Sequence, residues 1–265
     1  MPKYFRLLFL VFVSAWQGSA QIITTLHPQT VQEFDQYAQK VEQELSQRWH
    51  GQRPFLSIDD DPADRAKVLA GDLLIRPGNP DNPVSISDGL VHDWLGAVFF
   101  PNTSLAKVMA VLQDFNQHSK IYPNILRSRL ISHTGNDFTG YWRLEKRQGL
   151  IVVDLDVEEQ AHWQQITPDK WICRAYAKNI REVEDPGTPR ETLLPEGRGQ
   201  GFLWRLYAYW SLEATNGGVL GECRTLSLSR GIPAMFAFAV RPFVESLPRE
   251  SLANTMRDTL AAVSK

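Results

Sequence analysis

The chain has 265 residues, 43% of them hydrophobic and 22% charged. This is a globular composition, long enough for one large domain or a domain with a smaller attachment. A formal net charge of −2 offers no basic footprint for nucleic acid, and no segment beyond the first twenty residues approaches the length of a membrane span.

Lys3 and Arg6 precede an apolar run from Leu7 to Trp16, and Gly18, Ser19 and Ala20 follow as small residues. That order predicts a secretory signal peptide over residues 1–20, cleaved near Ala20 and sending the protein to the periplasm or outside the cell. The alternatives are an uncleaved anchor or a buried helix, and ten apolar residues are too few to span a bilayer comfortably.

In residues 28–50, Val31, Phe34, Tyr37, Val41, Leu45 and Trp49 recur at helical spacing. The polar side is acidic, so docking onto the main domain is expected rather than attraction to anionic lipid. Asp59-Asp60-Asp61 superficially suggests a calcium loop, but Pro62 follows, and the better reading is Asp61 as the cap of a short helix. Arg76 to Ser85 is rich in turn residues and divides an N-terminal arm and linker (21–80) from a main domain (81–265).

Alternating patterns predict seven strands, near 90–100, 125–133, 138–147, 150–163, 170–182, 201–214 and 219–230. A helix capped by Thr103 or Ser104 follows the first. Residues 184–200 form a long Pro/Gly loop. At the C-terminus an apolar run after Pro233 is expected to break or kink at Pro242. A last helix then starts at Pro248, with Leu252, Met256, Leu260 and Val263 inward. The fold class is therefore α+β: a curved seven-stranded antiparallel sheet around a C-terminal helix, with an N-terminal helical arm.

Strand alternation selects the residues that face the helix. In 201–214, Phe202, Trp204 and Trp210 share the apolar side, and Tyr207 and Tyr209 point to solvent or to the arm. Trp142 belongs to the apolar side of 138–147. In 150–163 the apolar odd positions from Ile151 to Val157 leave Asp154 and Asp156 outside. In 219–230, turning Leu226 and Leu228 inward brings Glu222 and Arg224 with them. These two are either a polar anchor inside a cavity or a wet surface bridge. Cys173 and Cys223 fall on strands separated by the aromatic one, too far apart for a disulfide, and are expected as buried thiols.

No HExxH, CxxC, P-loop, dinucleotide glycine pattern or G-x-S-x-G elbow occurs, so the sequence calls for no metal, no cofactor and no catalytic residue. His92 and Asp93 are adjacent on one strand and face opposite ways, which argues against a dyad and makes a structural histidine the simpler reading.

The stretches "VFFPNTSLAKVMAVLQDFNQHSKIYPNI", "GFLWRLYAYWSLEATNGGVLGECRTLSLSRGIP" and "FVESLPRESLANTM" resemble the START-like (SRPBCC, helix-grip) superfamily over roughly residues 84–263. They are similar to exported bacterial proteins of that group and, more distantly, to coenzyme Q-binding START-like proteins. The resemblance implies a cavity between sheet and C-terminal helix holding a lipid, isoprenoid, sterol or polyketide. It implies no universal catalytic residues.

The expectation is thus an exported protein whose partner is a hydrophobic small molecule, bound by Trp142, Phe202, Trp204, Trp210, Glu222, Arg224, Leu226, Leu228 and Met256. A transient membrane contact through "GIPAMFAFAV" is compatible with it. Two other readings stay open: a cyclase or dehydratase using Glu222 or His92 as acid or base, and an interaction protein whose interior is filled by its own rings.

Overall fold

A computed structural model describes residues 23–148, 151–231 and 237–265; the side chains of 147, 148, 151 and 237–245 are not described. The expected signal peptide and residues 232–236 of the apolar run "GIPAMFAFAV" fall outside this set.

The arm comprises β1 (Thr24–Thr25), α1 (Pro28–Trp49), a 3-10 turn (Ser57–Asp60) and α2 (Pro62–Leu69). Pro28 and Pro62 occupy first-turn positions, where a missing N–H costs nothing. Asp61 caps α2 by accepting the Ala63 N–H, and Asp59 and Asp60 pair with Arg65 and Arg48. The acidic triplet is therefore spent on a helix start and two ion pairs.

After the arm the chain runs β2 (Leu74–Pro77), β3 (Val84–Ile86), β4 (Gly89–Pro101), α3 (Leu105–Gln113), α4 (His118–Ile121), β5 (Ile125–Thr134), β6 (Asp137–Gln148), β7 (Ile151–Thr167), β8 (Lys170–Glu184), β9 (Thr192–Leu193), β10 (Arg198–Gly199), β11 (Arg205–Thr215), β12 (Gly218–Arg230) and α5 (Ala237–Val263). The antiparallel order is β2-β4-β12-β11-β8-β7-β6-β5, with β3 beside β4 and β9 beside β8. The seven long strands are those read from the alternation. The three short ones extend the sheet from the linker and the long loop, so β2 and β3 tie residues 74–86 into β4. This is a helix-grip fold: a ten-stranded sheet with α5 across its inner face, beside a two-stranded pairing of β1 with β10.

Both faces of the sheet are covered, and β11 shows why. Its odd positions meet α1: Tyr207 packs edge-on to Phe34 at 5.0 Å, the Tyr209 hydroxyl donates to Glu42 at 2.9 Å, and Trp49 Nε1 donates to Ser211 Oγ at 2.9 Å. Its even positions Trp210 and Leu212 enter a second core with Leu252, Met256 and Val263 of α5. The aromatic crowding on this strand therefore serves two separate cores.

The register corrects the reading of β12. A two-residue turn, Asn216-Gly217, places Thr215 opposite Gly218, so Tyr207 faces Leu226, Tyr209 faces Arg224 and Ser211 faces Glu222. Cross-strand partners share a face. The even positions of β12 consequently lie with the odd positions of β11, under α1, and Cys223, Thr225, Ser227 and Ser229 turn inward. Cys173 and Cys223 flank Trp210 on either side and are buried free thiols.

The C-terminus also departs from expectation. Pro242 and Pro248 both lie inside one continuous helix. Each removes an i→i−4 hydrogen bond, and packing of the helix over the sheet outweighs that loss.

Candidate functional site

Between the inner face of the sheet and α5 lies a cavity of about 360 Å³, within the usual range of roughly 300–1,000 Å³ for small-molecule sites. Successive rows of cross-strand neighbours build its wall. At the closed end, Trp163, Cys173, Trp210 and Cys223 form one row across β7, β8, β11 and β12. The next row is Ala161, Ala175, Ala208 and Thr225, and these short side chains create the open space. Trp142 and Leu144 of β6, with Phe115, His118 and Tyr122, close one side, and Leu252, Thr255 and Asp258 of α5 close the top. Lys146, Phe202, Leu203, Arg230, Leu247 and Pro248 line the far end and are only part-buried, so the cavity opens there.

The Gln200–Leu203 segment on this rim is held by one carboxylate. Glu182 accepts the N–H groups of Gln200 at 2.6 Å, Gly201 at 2.8 Å and Phe202 at 3.3 Å. Gly199 and Gly201 have φ of 144° and 74°, conformations glycine adopts without strain, and a side chain at Gly199 would strike the Glu182 carboxylate. Glu182→Ala is expected to free these amides and speed their hydrogen exchange at least tenfold; unchanged protection in exchange mass spectrometry would show that the latch is not needed.

The polar groups deep inside are uncharged near neutral pH. Glu159 of β7 is buried with no hydrogen bond or ion pair to any described residue, and burial alone pushes its carboxyl up to about 8. Its cross-strand neighbour is Gly140, over which the Phe115 ring lies so closely that a Cβ would come within 1.9 Å of it. The acid is thus walled by hydrocarbon. His92 Nε2 pairs with Ser229 Oγ at 3.0 Å, and Nδ1 has no partner among the described residues. His118 Nδ1 accepts from Trp142 Nε1 at 3.1 Å. Burial brings both imidazoles down to about 4, with nearby carbonyls and Asp114 acting weakly against it for His118. The Tyr122 hydroxyl, pushed up to about 12 chiefly by burial, pairs with Thr259 Oγ1 at 3.0 Å. Such a site can bury an apolar body and offer it a few uncharged donors and acceptors. Among the described residues no group of side chains has the composition of a metal site.

Of the residues selected from the sequence, Trp142, Phe202 and Trp210 lie on this wall. The other six do not. Trp204 precedes β11, in an irregular stretch where alternation does not hold, and its indole joins the outer core with Phe34 and Leu228. Leu226 and Leu228 lie in the same outer core. Glu222 and Arg224 do not pair with each other. Glu222 accepts the N–H groups of Ser57 at 2.8 Å and Ile58 at 3.1 Å, and Arg224 binds Asp93 at 2.7 Å and Glu44 at 2.9 Å. Both therefore fasten the arm to the outer face. Met256 is fully buried where α5 crosses β4, against Gly96, rather than on the cavity wall. His92 and Asp93 point to opposite faces, as the alternation requires. Glu159 was missed. It continues the odd-numbered series of Val153, Leu155 and Val157, and following that series two residues further would have found it.

No family model matches the chain, and no curated protein matches its sequence. Solved structures similar to it include a STAR-related lipid transfer protein fragment from Xanthomonas axonopodis, 16% identical over 69% of this chain and 97% of that one with a TM-score of 0.45. Zhui aromatase/cyclase from a Streptomyces species is 8% identical over 66% and 94%, TM-score 0.45. Human STARD10 is 13% identical over 78% and 79%, TM-score 0.43. At 8–16% identity and TM-scores of 0.45 or less, these likenesses say nothing of a ligand or a reaction.

Proposed function

We propose that this protein binds a hydrophobic small molecule, such as a lipid or isoprenoid quinone, between its sheet and C-terminal helix, and that it does so after export. The observation that supports binding is the open space itself: a cavity of about 360 Å³ whose deep wall is Trp163, Trp210 and a row of three alanines.

 The few polar groups on that wall, among them Glu159, His92 and His118, are enough to orient a ligand. Export is supported by the basic head, apolar run and small residues of positions 1–20.

Two measurements test this. Native mass spectrometry of the protein purified from its own host is expected to show an extractable apolar ligand. Ala208→Trp, which places an indole in the middle of the alanine row, is expected to abolish uptake at a stability cost of about 1–3 kcal/mol, the usual range for added side-chain volume. Undiminished uptake by A208W would overturn the assignment of the site. N-terminal sequencing of exported protein is expected to begin at Gln21.

A second reading, an acid/base enzyme of the cyclase or dehydratase kind, is favoured by Glu159 and His92 both facing the cavity. Glu222 has no part in it, since it lies on the other face of the sheet. Turnover lost in E159Q with ligand uptake retained would identify this reading.

A further inference from the structure

Glu159 is the feature that apolar binding alone leaves without a purpose. Burying a carboxyl without a hydrogen-bond partner is costly, and a leucine would serve a purely greasy pocket better. The residue sits deep: six positions along β7 separate it from Val153, the cross-strand neighbour of Lys146 at the open end, or about 20 Å of strand. Its immediate row holds Gly140 and Ala177, and the Phe115 ring covers the gap. None of these can accept its proton.

We propose that the cavity takes an uncharged apolar molecule that enters with a carbonyl oxygen foremost, and that the Glu159 carboxylic acid donates the hydrogen bond that holds this oxygen. The proposal rests on the ligand-binding reading above and narrows it. A carbonyl fits because it needs a donor and brings none of its own. A ligand carboxylate would have to be buried at this depth without a cation, since Lys146 and Arg230 line the open end. The titratable groups around Glu159 do not supply a charge either. Cys173, Cys223 and Tyr122, which feel its charge, are all held neutral by burial, as are His92 and His118 across the cavity. Asp258 on α5 is an acid, whose carboxyl burial pushes upward.

The test measures displacement of the apolar dye N-phenyl-1-naphthylamine by 2-undecanone and by undecane, from wild type, E159L and E159Q. At pH 6, E159L is expected to weaken the ketone about tenfold and to leave undecane within about twofold, the worth of one buried hydrogen bond. E159Q, whose carboxamide still donates, is expected to keep the ketone. Wild-type affinity for the ketone is expected to fall above pH 8, as the donor proton leaves, and that of E159Q to stay level. If both compounds displace the dye but E159L affects them equally, the carbonyl assignment is overturned and the cavity stands. If neither displaces it from wild type, the ligand-binding reading fails and this inference fails with it.

Discussion

Glu159→Leu is expected to stabilise the protein, and increasingly so as pH rises from 5 to 8. The sign follows from proton linkage. Burial raises the Glu159 carboxyl from 4.5 to about 8 in the folded chain, so between these values the folded state holds a proton that the unfolded state has released. Stability must then fall as pH rises through this window, by about 1.4 kcal/mol per unit and roughly 5 kcal/mol over the whole of it. Leucine removes the dependence. The difference in unfolding free energy between E159L and wild type, measured by guanidinium titration, should grow by several kcal/mol from pH 5 to pH 8. A constant difference would mean that water entering the cavity solvates the carboxylate, and Glu159 would then be an ordinary ionised acid at neutral pH.

Asp93→Ala is expected to destabilise by about 3–5 kcal/mol, the usual cost of leaving one member of a buried ion pair alone. Asp93 is wholly buried under α1 and accepts from Arg224 Nε at 2.9 Å, Arg224 Nη2 at 2.7 Å and the Tyr37 hydroxyl at 2.7 Å. Its removal takes from Arg224 its buried counter-charge and leaves it Glu44 at 2.9 Å, which is largely exposed, and the Gly78 carbonyl at 3.2 Å. Gly78 has room only for hydrogen, since a Cβ there would lie 2.0 Å from Asp93 Oδ1. Arm, linker, β4 and β12 therefore meet at this carboxylate. Replacing the pair together, as D93V with R224M, should recover most of the loss, because two apolar side chains leave no buried charge uncompensated and Glu44, the other partner of Arg224, is largely exposed. A loss below 1 kcal/mol for D93A, read from the denaturation midpoint at unchanged slope, would show that the arm is held by its apolar face alone.

The two cores explain which parts of the cavity were legible in the sequence. Alternation in β11 separated Tyr207 and Tyr209 from Trp210 correctly, since each residue's face depends only on its neighbours along the strand. Carrying that logic to β12 failed because apolarity was taken as the mark of the cavity side. With α1 covering the outer face, Leu226 and Leu228 are as buried there as any residue inside. The turn held the missing information: two residues at Asn216-Gly217 set odd positions against even ones. In β8 no such signal exists. The register slips between Glu158 and Glu159, leaving Lys178 unpaired, so inward positions change from odd before it to even after it, and Glu182 reaches the rim.

By itself, then, the sequence determined the elements: seven long strands, an amphipathic arm and two capped helix starts. Each of these follows from interactions over a few residues, through periodicity, turn geometry and capping. Only the tertiary structure decided which side of β12 became cavity, why Glu222 and Arg224 serve the arm, and that a lone acid stands beside the Phe115 ring at Glu159. Those outcomes depend on register, on a bulge and on what covers the second face. They are set by contacts between segments far apart in the chain, where burial energy is shared among many residues and no single stretch records it.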